Sequence, residues 1–189
     1  MSTSSAVNPS SPKERTSMSE QAINAGPAAD AAGTAEILTA DLYDERGEQL
    51  QSVSVQFQSV GGRTRFHGPV RTIHSVEDNA LVKAVTAEPG DGAVLVIDGE
   101  GSLRTALMGG NIAQAAADNG WAGVIVHGAI RDRSEMARLP LGIKALGSNP
   151  KKSAKEGAGE VDAVVTIDGV VFRPGAMVFC DEDGILVER

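Results

Sequence analysis

The sequence predicts a single α/β domain with a central βαβ unit and β-rich flanks. Three observations carry that expectation. "AVLVID" (residues 93–98) and "GVIVHGAI" (residues 123–130) are near-continuous apolar runs, as strands buried on both faces require. Between them "NIAQAAADNG" has the composition of an alanine-rich helix closed by Gly120, and strand, helix, strand at this spacing is a crossover joining two parallel strands. Beyond it, "LGIKALG", "VDAVVTIDGVVFRPG" and "MVFCDEDGILVE" favour β structure.

The first 34 residues are rich in Ser, Ala, Pro and Gly and show no hydrophobic periodicity, so residues 1–34 are expected to be a disordered tail ahead of a domain spanning 35–189. The tail lacks the apolar core of a secretory signal, carries acids that a transit peptide avoids, and contains Met18 as a second candidate start. In "TAEILTADLYDERG", Ile37, Leu38, Leu42 and Tyr43 fall at helical spacing, and Gly47 is a plausible stop. "VSVQF" alternates as a strand should, and "GGRTRFHGPVRTIHS" predicts a bent strand pair through Phe66, Val70 and Ile73. "NALVKAVTAE" predicts an amphipathic helix with Asn79 as N-cap and Ala80, Leu81, Ala84 and Val85 on its apolar face. The turn "PGDG" leads into "AVLVID". Near the end, Asp168-Gly169 in "VVTIDGVVF" fits a type I′ hairpin turn.

Composition narrows the function. A length of 189 residues with 41% hydrophobic content suits one domain, and 3% aromatics leaves Val, Ile, Leu and Ala to build the core. A net charge of −8 argues against phosphate-backbone binding, which needs clustered Lys and Arg. A single cysteine, Cys180, excludes an internal disulfide framework and a cysteine-based zinc site, and is expected to be a small core residue. No apolar run approaches the roughly 20 residues of a membrane span. The expectation is a cytoplasmic protein with no direct nucleic-acid or membrane partner.

Chemistry in open α/β sheets gathers beyond the carboxyl ends of parallel strands. Two such ends exist here, "IDGEGSLRTALMGGN" after "AVLV" and "RDRSE" after "GVIVHGAI", and adjacent strands would set them side by side. Gly99-x-Gly101-x-x-Arg104 is only a partial dinucleotide fingerprint, with Arg where the third glycine belongs. Gly109-Gly110-Asn111 stands where a helix should begin: either a turn with Asn111 as cap, or a place where bare N–H groups meet an anion. The adjacent Arg131 and Asp132 also admit two readings. They are a surface ion pair worth about 0–1 kcal/mol, or a guanidinium that forks onto a substrate carboxylate beside a carboxylate that holds a hard divalent cation. Lys83 and Lys144 are candidates for a Schiff base, although each is better read as a snorkelling or interface residue. His127 is expected to be a hydrogen-bonded structural histidine, and Glu156 and Glu160 either rim residues against a neighbouring subunit or solvated charges.

In order along the chain, "VGGRTRF", "DNALVK", "VHGAIRD", "GIKALGSNP" and "GAGE" resemble the family that comprises regulator of ribonuclease E activity A (RraA) and the class II 4-hydroxy-4-methyl-2-oxoglutarate/4-carboxy-4-hydroxy-2-oxoadipate aldolases. The resemblance runs from "TADLYDE" to the C-terminus. It implies a swivelling β/β/α domain assembled as a homotrimer, in some members paired into a hexamer. The family's aldolases carry a Gly, about 20 residues, then Arg-Asp-x-x-Glu/Asp, which Gly110, Arg131, Asp132 and Glu135 match here. By that match Arg131 would bind the pyruvyl carboxylate and Asp132 would ligate the metal, Mg²⁺ with Mn²⁺ as the other candidate. Gly109, Gly110, Asn111 and Ile112 would offer backbone contacts to substrate, with Glu135 as a further acid behind the metal ligand. One departure stands out: an acid is common in the aldolases where this chain has Gly110.

The resemblance therefore implies pyruvate-forming cleavage of 4-hydroxy-4-methyl-2-oxoglutarate and related 4-hydroxy-2-oxo acids, with oxaloacetate decarboxylation through the same enolate. No side chain is evident as the base, and a water beside the metal is the expected one. The other function it implies is non-catalytic, inhibition of a ribonuclease E-type enzyme by docking of an acidic ring. Asp132 bears on the choice, since an inhibitor has no use for a metal ligand there.

Overall fold

The computed structural model describes residues 37–189, so the expectations for the tail and for Met18 lie outside the described residues. Helix α1 (Thr39–Arg46) stops at Gly47, as its sequence suggests, with Gly47 at φ 51°. Its start is secured from afar: the Asp181 carboxylate accepts the Thr39 N–H at 2.6 Å and the Thr39 hydroxyl at 2.7 Å. A 3₁₀ turn (Gly47–Gln49) leads to two short strands, β1 (Leu50–Ser52) and β2 (Gln58–Ser59). The expected strand "VSVQF" lies between them and forms no ladder. Its alternation is real as burial, since Val53, Val55 and Phe57 pack on one core, but the Val53 N–H goes to the Ile185 carbonyl and the Val55 N–H to the Asp168 carboxylate.

Strand β3 (Phe66–His74) is one nine-residue strand rather than the expected bent pair. Helix α2 (Ala80–Thr86) also departs from its prediction at both cap and face. Asn79 makes no side-chain cap; the Asp78 carboxylate accepts the Ala80 N–H at 2.8 Å instead, and the buried residues are Val82, Val85 and Thr86. Then follow β4 (Val94–Asp98), the unforeseen β5 (Ala106–Met108), α3 (Gly110–Asp118), β6 (Gly123–Ile130), the single turn α4 (Arg133–Met136) and β7 (Gly142–Ser148). The chain closes with β8 (Glu160–Val161), the hairpin β9 (Val165–Ile167) and β10 (Val170–Phe172), β11 (Met177–Cys180) and β12 (Ile185–Glu188). The hairpin turn has Asp168 at φ 51° and Gly169 at φ 77°, the two positive φ values of the predicted type I′ geometry.

The main sheet runs β1-β12-β11-β3-β4-β6-β7-β2. Its centre, β3, β4, β6 and β7, is parallel; its flanks are antiparallel. The predicted βαβ unit is β4–α3–β6. Because side chains alternate along a strand, β4 feeds two cores: Leu95 and Ile97 pack under α2 and α3 with Val124 and Val126, while Val94 and Val96 face the β9–β10 hairpin with Ile125 and Phe172. Each such side chain contributes roughly 1.5–3 kcal/mol by leaving water. The result is a mixed α/β domain in which the helical layer lies over the sheet and both βα loops open at one edge. No helix among the described residues is long and apolar enough to cross a membrane.

Candidate functional site

Strand β6 ends where β5 pins it, with the Arg131 N–H donating to the Met108 carbonyl at 3.0 Å. The next residue reverses the chain. Asp132 sits in the left-handed region at φ 62° and ψ 37°, a conformation that Asp tolerates better than most side chains. This turn folds its carboxylate back onto the first turn of α3, where Oδ2 accepts the Gly110 N–H at 3.0 Å. Asp132 is thus the N-terminal cap of a helix 22 residues earlier. The cap position itself is Gly109, not Asn111, and Asn111 lies inside the helix.

Gly109 is glycine for lack of room. Its φ of −128° is ordinary, but a Cβ there would lie 2.8 Å from Asp132 Oδ2 and 3.1 Å from Arg131 Nε. Over Gly110 lies the carboxylate of Glu135, which would have to shift to admit a side chain there. Arg131 Nε and Asp132 Oδ2 are 3.6 Å apart and each side chain is about one-third exposed, so as an ion pair they contribute little to stability.

What the pair faces is more informative. A cavity of about 230 Å³ is lined by Arg131, Asp132, Gly109, Asn111 and Ile112 together with Asn79, Lys83, Ala106, Lys152 and Lys155. Four cations surround one carboxylate there, in a chain whose net charge is −8. An excess of cationic side chains of this kind gives a positive local potential, which attracts anions. A second cavity of about 380 Å³ shares Arg131 and Asp132 and is bordered by Arg133, Ser134, Ser148 and Asn149. Of the site residues expected from sequence, Gly109, Asn111, Ile112, Arg131 and Asp132 line the first cavity, Gly110 supplies an N–H to Asp132, and Glu135 stands over Gly110.

Among the described residues no three His, Cys, Asp or Glu side chains converge to cage a metal. The donor set is a single carboxylate, Asp132, with Oδ2 already engaged by the Gly110 amide. That set fits a hard, largely hydrated ion such as Mg²⁺ and does not fit zinc or an all-protein calcium site.

Other candidates lie elsewhere. Lys144 is neither snorkelling nor exposed: it is buried in β7, donating to Ser59 Oγ at 3.1 Å, and lines neither cavity. Lys83 does line the first one. His127 is the structural histidine expected, its Nδ1 2.8 Å from Asp98 Oδ1. Burial pushes the Asp98 carboxyl up, but the His127 contact and the Glu100 amide outweigh it and hold the group below the usual carboxylate range. Cys180 is buried in the core, and burial raises its thiol far above the ordinary value. Glu156 and Glu160 are exposed. Sequence reasoning passed over Lys152, Lys155 and the buried Asp78; the signal available was "KKSAK", a basic run in an acidic chain.

The family model for RraA-like proteins, described as Aldolase/RraA, matches residues 39–187. The chain belongs to the RraA-like family. Among solved RraA-like structures, the RNA-processing inhibitor RraA from Thermus thermophilis is 52% identical with a TM-score of 0.79, the match covering 82% of this chain and 93% of that one. The S-adenosylmethionine:2-dimethylmenaquinone methyltransferase from Geobacillus kaustophilus HTA426 is 46% identical, also at a TM-score of 0.79, covering 80% and 94%. RraAS2 from Streptomyces coelicolor, an unusual member of the RNase ES inhibitor RraA protein family, is 29% identical at a TM-score of 0.63, covering 78% and 76%. The RraA-like fold thus accounts for the mixed sheet with few helices seen here.

Proposed function

We propose that the protein is a divalent-metal-dependent class II aldolase that cleaves 4-hydroxy-4-methyl-2-oxoglutarate and related 4-hydroxy-2-oxo acids to pyruvate and also decarboxylates oxaloacetate. The observation that carries this reading is the emergence of Arg131 and Asp132 side by side into a lysine-lined cavity, with Asp132 steered there by a left-handed turn and by the Gly110 amide. An anionic 2-oxo acid is drawn in by Lys83, Lys152 and Lys155. Arg131 presents a planar fork to the 1-carboxylate and fixes the orientation of the 2-oxo group. Asp132 would hold the divalent cation, Mg²⁺ or Mn²⁺. When bound there, such a cation would supply Lewis-acid stabilisation of negative charge on the 2-oxo oxygen. Gly109, bare of a side chain, lets substrate approach both groups closely. The test is pyruvate release from 4-hydroxy-4-methyl-2-oxoglutarate and from oxaloacetate, with and without Mg²⁺; no release from either with Mg²⁺ present overturns the reading.

The 52% identity to an RNA-processing inhibitor supports a second reading, binding and inhibition of a ribonuclease E-type endoribonuclease by a homotrimer or hexamer of this chain. Asp132 separates the two. Catalysis requires its carboxylate, whereas inhibition should survive Asp132→Asn.

A further inference from the structure

The basic wall of the cavity is held in place by a buried acid. Asp78 is 2% exposed. Its Oδ1 accepts the Ala80 N–H at 2.8 Å; its Oδ2 accepts those of Glu156 at 2.6 Å and Gly157 at 3.1 Å. Burial pushes this carboxyl up, but the amides of Ala80, Glu156, Ala158 and Gly157 outweigh it and hold the group below the usual range. All these donors are backbone amides, so the charge is satisfied without consuming a lysine.

The rest of the stitching is local. Ala154 donates to the Glu77 carbonyl at 2.8 Å, Asn79 donates to the Ala154 carbonyl at 3.1 Å, and the Ser75 hydroxyl reaches the carbonyls of Asp78 at 2.8 Å and Ala158 at 2.7 Å. On the other side, Ala106 donates to the Lys151 carbonyl at 2.8 Å and Ser153 Oγ donates to the Ala106 carbonyl at 2.5 Å. The segment bearing Lys152 and Lys155 has no helix or strand of its own between β7 and β8. It is suspended between these two anchors, against the repulsion of like charges that share one cavity.

We propose that Lys83, Lys152 and Lys155 form an anion subsite and that Asp78 is its positioning residue, latching the lysine-bearing segment to the start of α2. The proposal rests on reading this cavity as the site of an anionic substrate; it does not need the aldol chemistry. Malonate, an unreactive dicarboxylate, is the probe, titrated calorimetrically into the full chain with chelator present so that metal takes no part. Four proteins are compared: wild type, Asp78→Asn, Lys152→Met/Lys155→Met, and all three substitutions together. Asp78→Asn should weaken malonate binding about tenfold in wild type, the worth of one charge-assisted contact. In the protein without the two lysines it should change binding less than about twofold, the coupling that marks action through those lysines. Amide exchange at 156 and 157 should quicken in Asp78→Asn. Equal loss in both backgrounds, no loss in either, or no malonate binding by wild type would overturn the proposal. Should Asp78→Asn fail to fold, Ser75→Ala loosens the same latch and must show the same coupling. Malonate coupling without pyruvate release would remove the aldolase reading and leave this one standing.

Discussion

The carboxylate of Glu135 fills the space that a side chain on Gly110 would occupy. An acid introduced at Gly110 and the acid already at 135 therefore compete for one place. Gly110→Asp alone should cost about 1–3 kcal/mol through crowding and like-charge repulsion. Gly110→Asp combined with Glu135→Ala should recover most of that loss, as urea melts of the four proteins would show. Simple additivity would mean that Glu135 swings away freely.

Asp132 is held by its left-handed turn and by its cap on α3. Asp132→Asn preserves both, because Asn tolerates that region and keeps an acceptor oxygen; Asp132→Ala loses both. Pyruvate release should vanish in the two variants alike. Their stabilities should differ, with Ala lower than Asn by roughly 1.5–4 kcal/mol in denaturant melts, summing about 1–2 for the backbone and 0.5–2 for the cap.

Arg131→Lys keeps the charge and loses the planar fork, so about 1.5–3 kcal/mol of charge-assisted hydrogen bonding is at stake. Catalytic efficiency should fall roughly 10- to 150-fold. KM should rise at least as much as kcat falls, since the clamp acts in ground and transition states. Calorimetry of Mg²⁺ binding should show little change; lost metal affinity with an unchanged KM would mean that Arg131 only supports Asp132.

Chelation should abolish pyruvate release and leave the thermal melt within about 1 °C, because a cation held through one protein carboxylate adds little to the fold. Borohydride with substrate should trap no adduct on Lys83 or Lys144. Activity that persists in chelator, with an adduct on Lys83, would replace the metal mechanism with a Schiff base.

Acid should unfold the domain through its tethered carboxylates. Asp78, Asp98 and Asp181 are each held below the usual carboxylate range, where amide, hydroxyl or imidazole contacts outweigh burial. A depressed folded value means that the unfolded chain takes up protons first as pH falls. The stabilisation is therefore complete well above the unfolded value of about 3.9 and drains away as pH drops through it toward the folded values. Melting temperatures between pH 6 and pH 3 should show this decline, and Asp181→Asn should flatten it.

Much of this was legible in the chain. The apolar runs of β4 and β6 announced parallel strands, and Asp168-Gly169 announced its turn, because burial on both faces and positive φ each leave a compositional mark. "VSVQF" misled for a definable reason: period-two burial records which way side chains point, not whether the backbone finds a partner strand. Asn79 misled because the helix start is served instead by the neighbouring Asp78, whose carboxylate takes the Ala80 amide. At the site, the adjacency of Arg131 and Asp132 was plain. The lysine wall was not, since Lys83 and Lys152 are far apart in sequence and line one cavity only in the folded chain.

The pairing of β1 with β12 sets a schedule for synthesis. Leu50 lies opposite Glu188 in that ladder, and β12 is also the strand that joins β1 to β11. A ribosome adding about 5–20 residues per second would leave Leu50 waiting roughly 7–30 seconds for its partner to emerge. Until then the apolar Leu50 and the edge of β3 that β11 later covers are available to any passing chain. The antiparallel wing is accordingly the part of this protein that a holding chaperone would need to shield, and the last to become resistant to a protease.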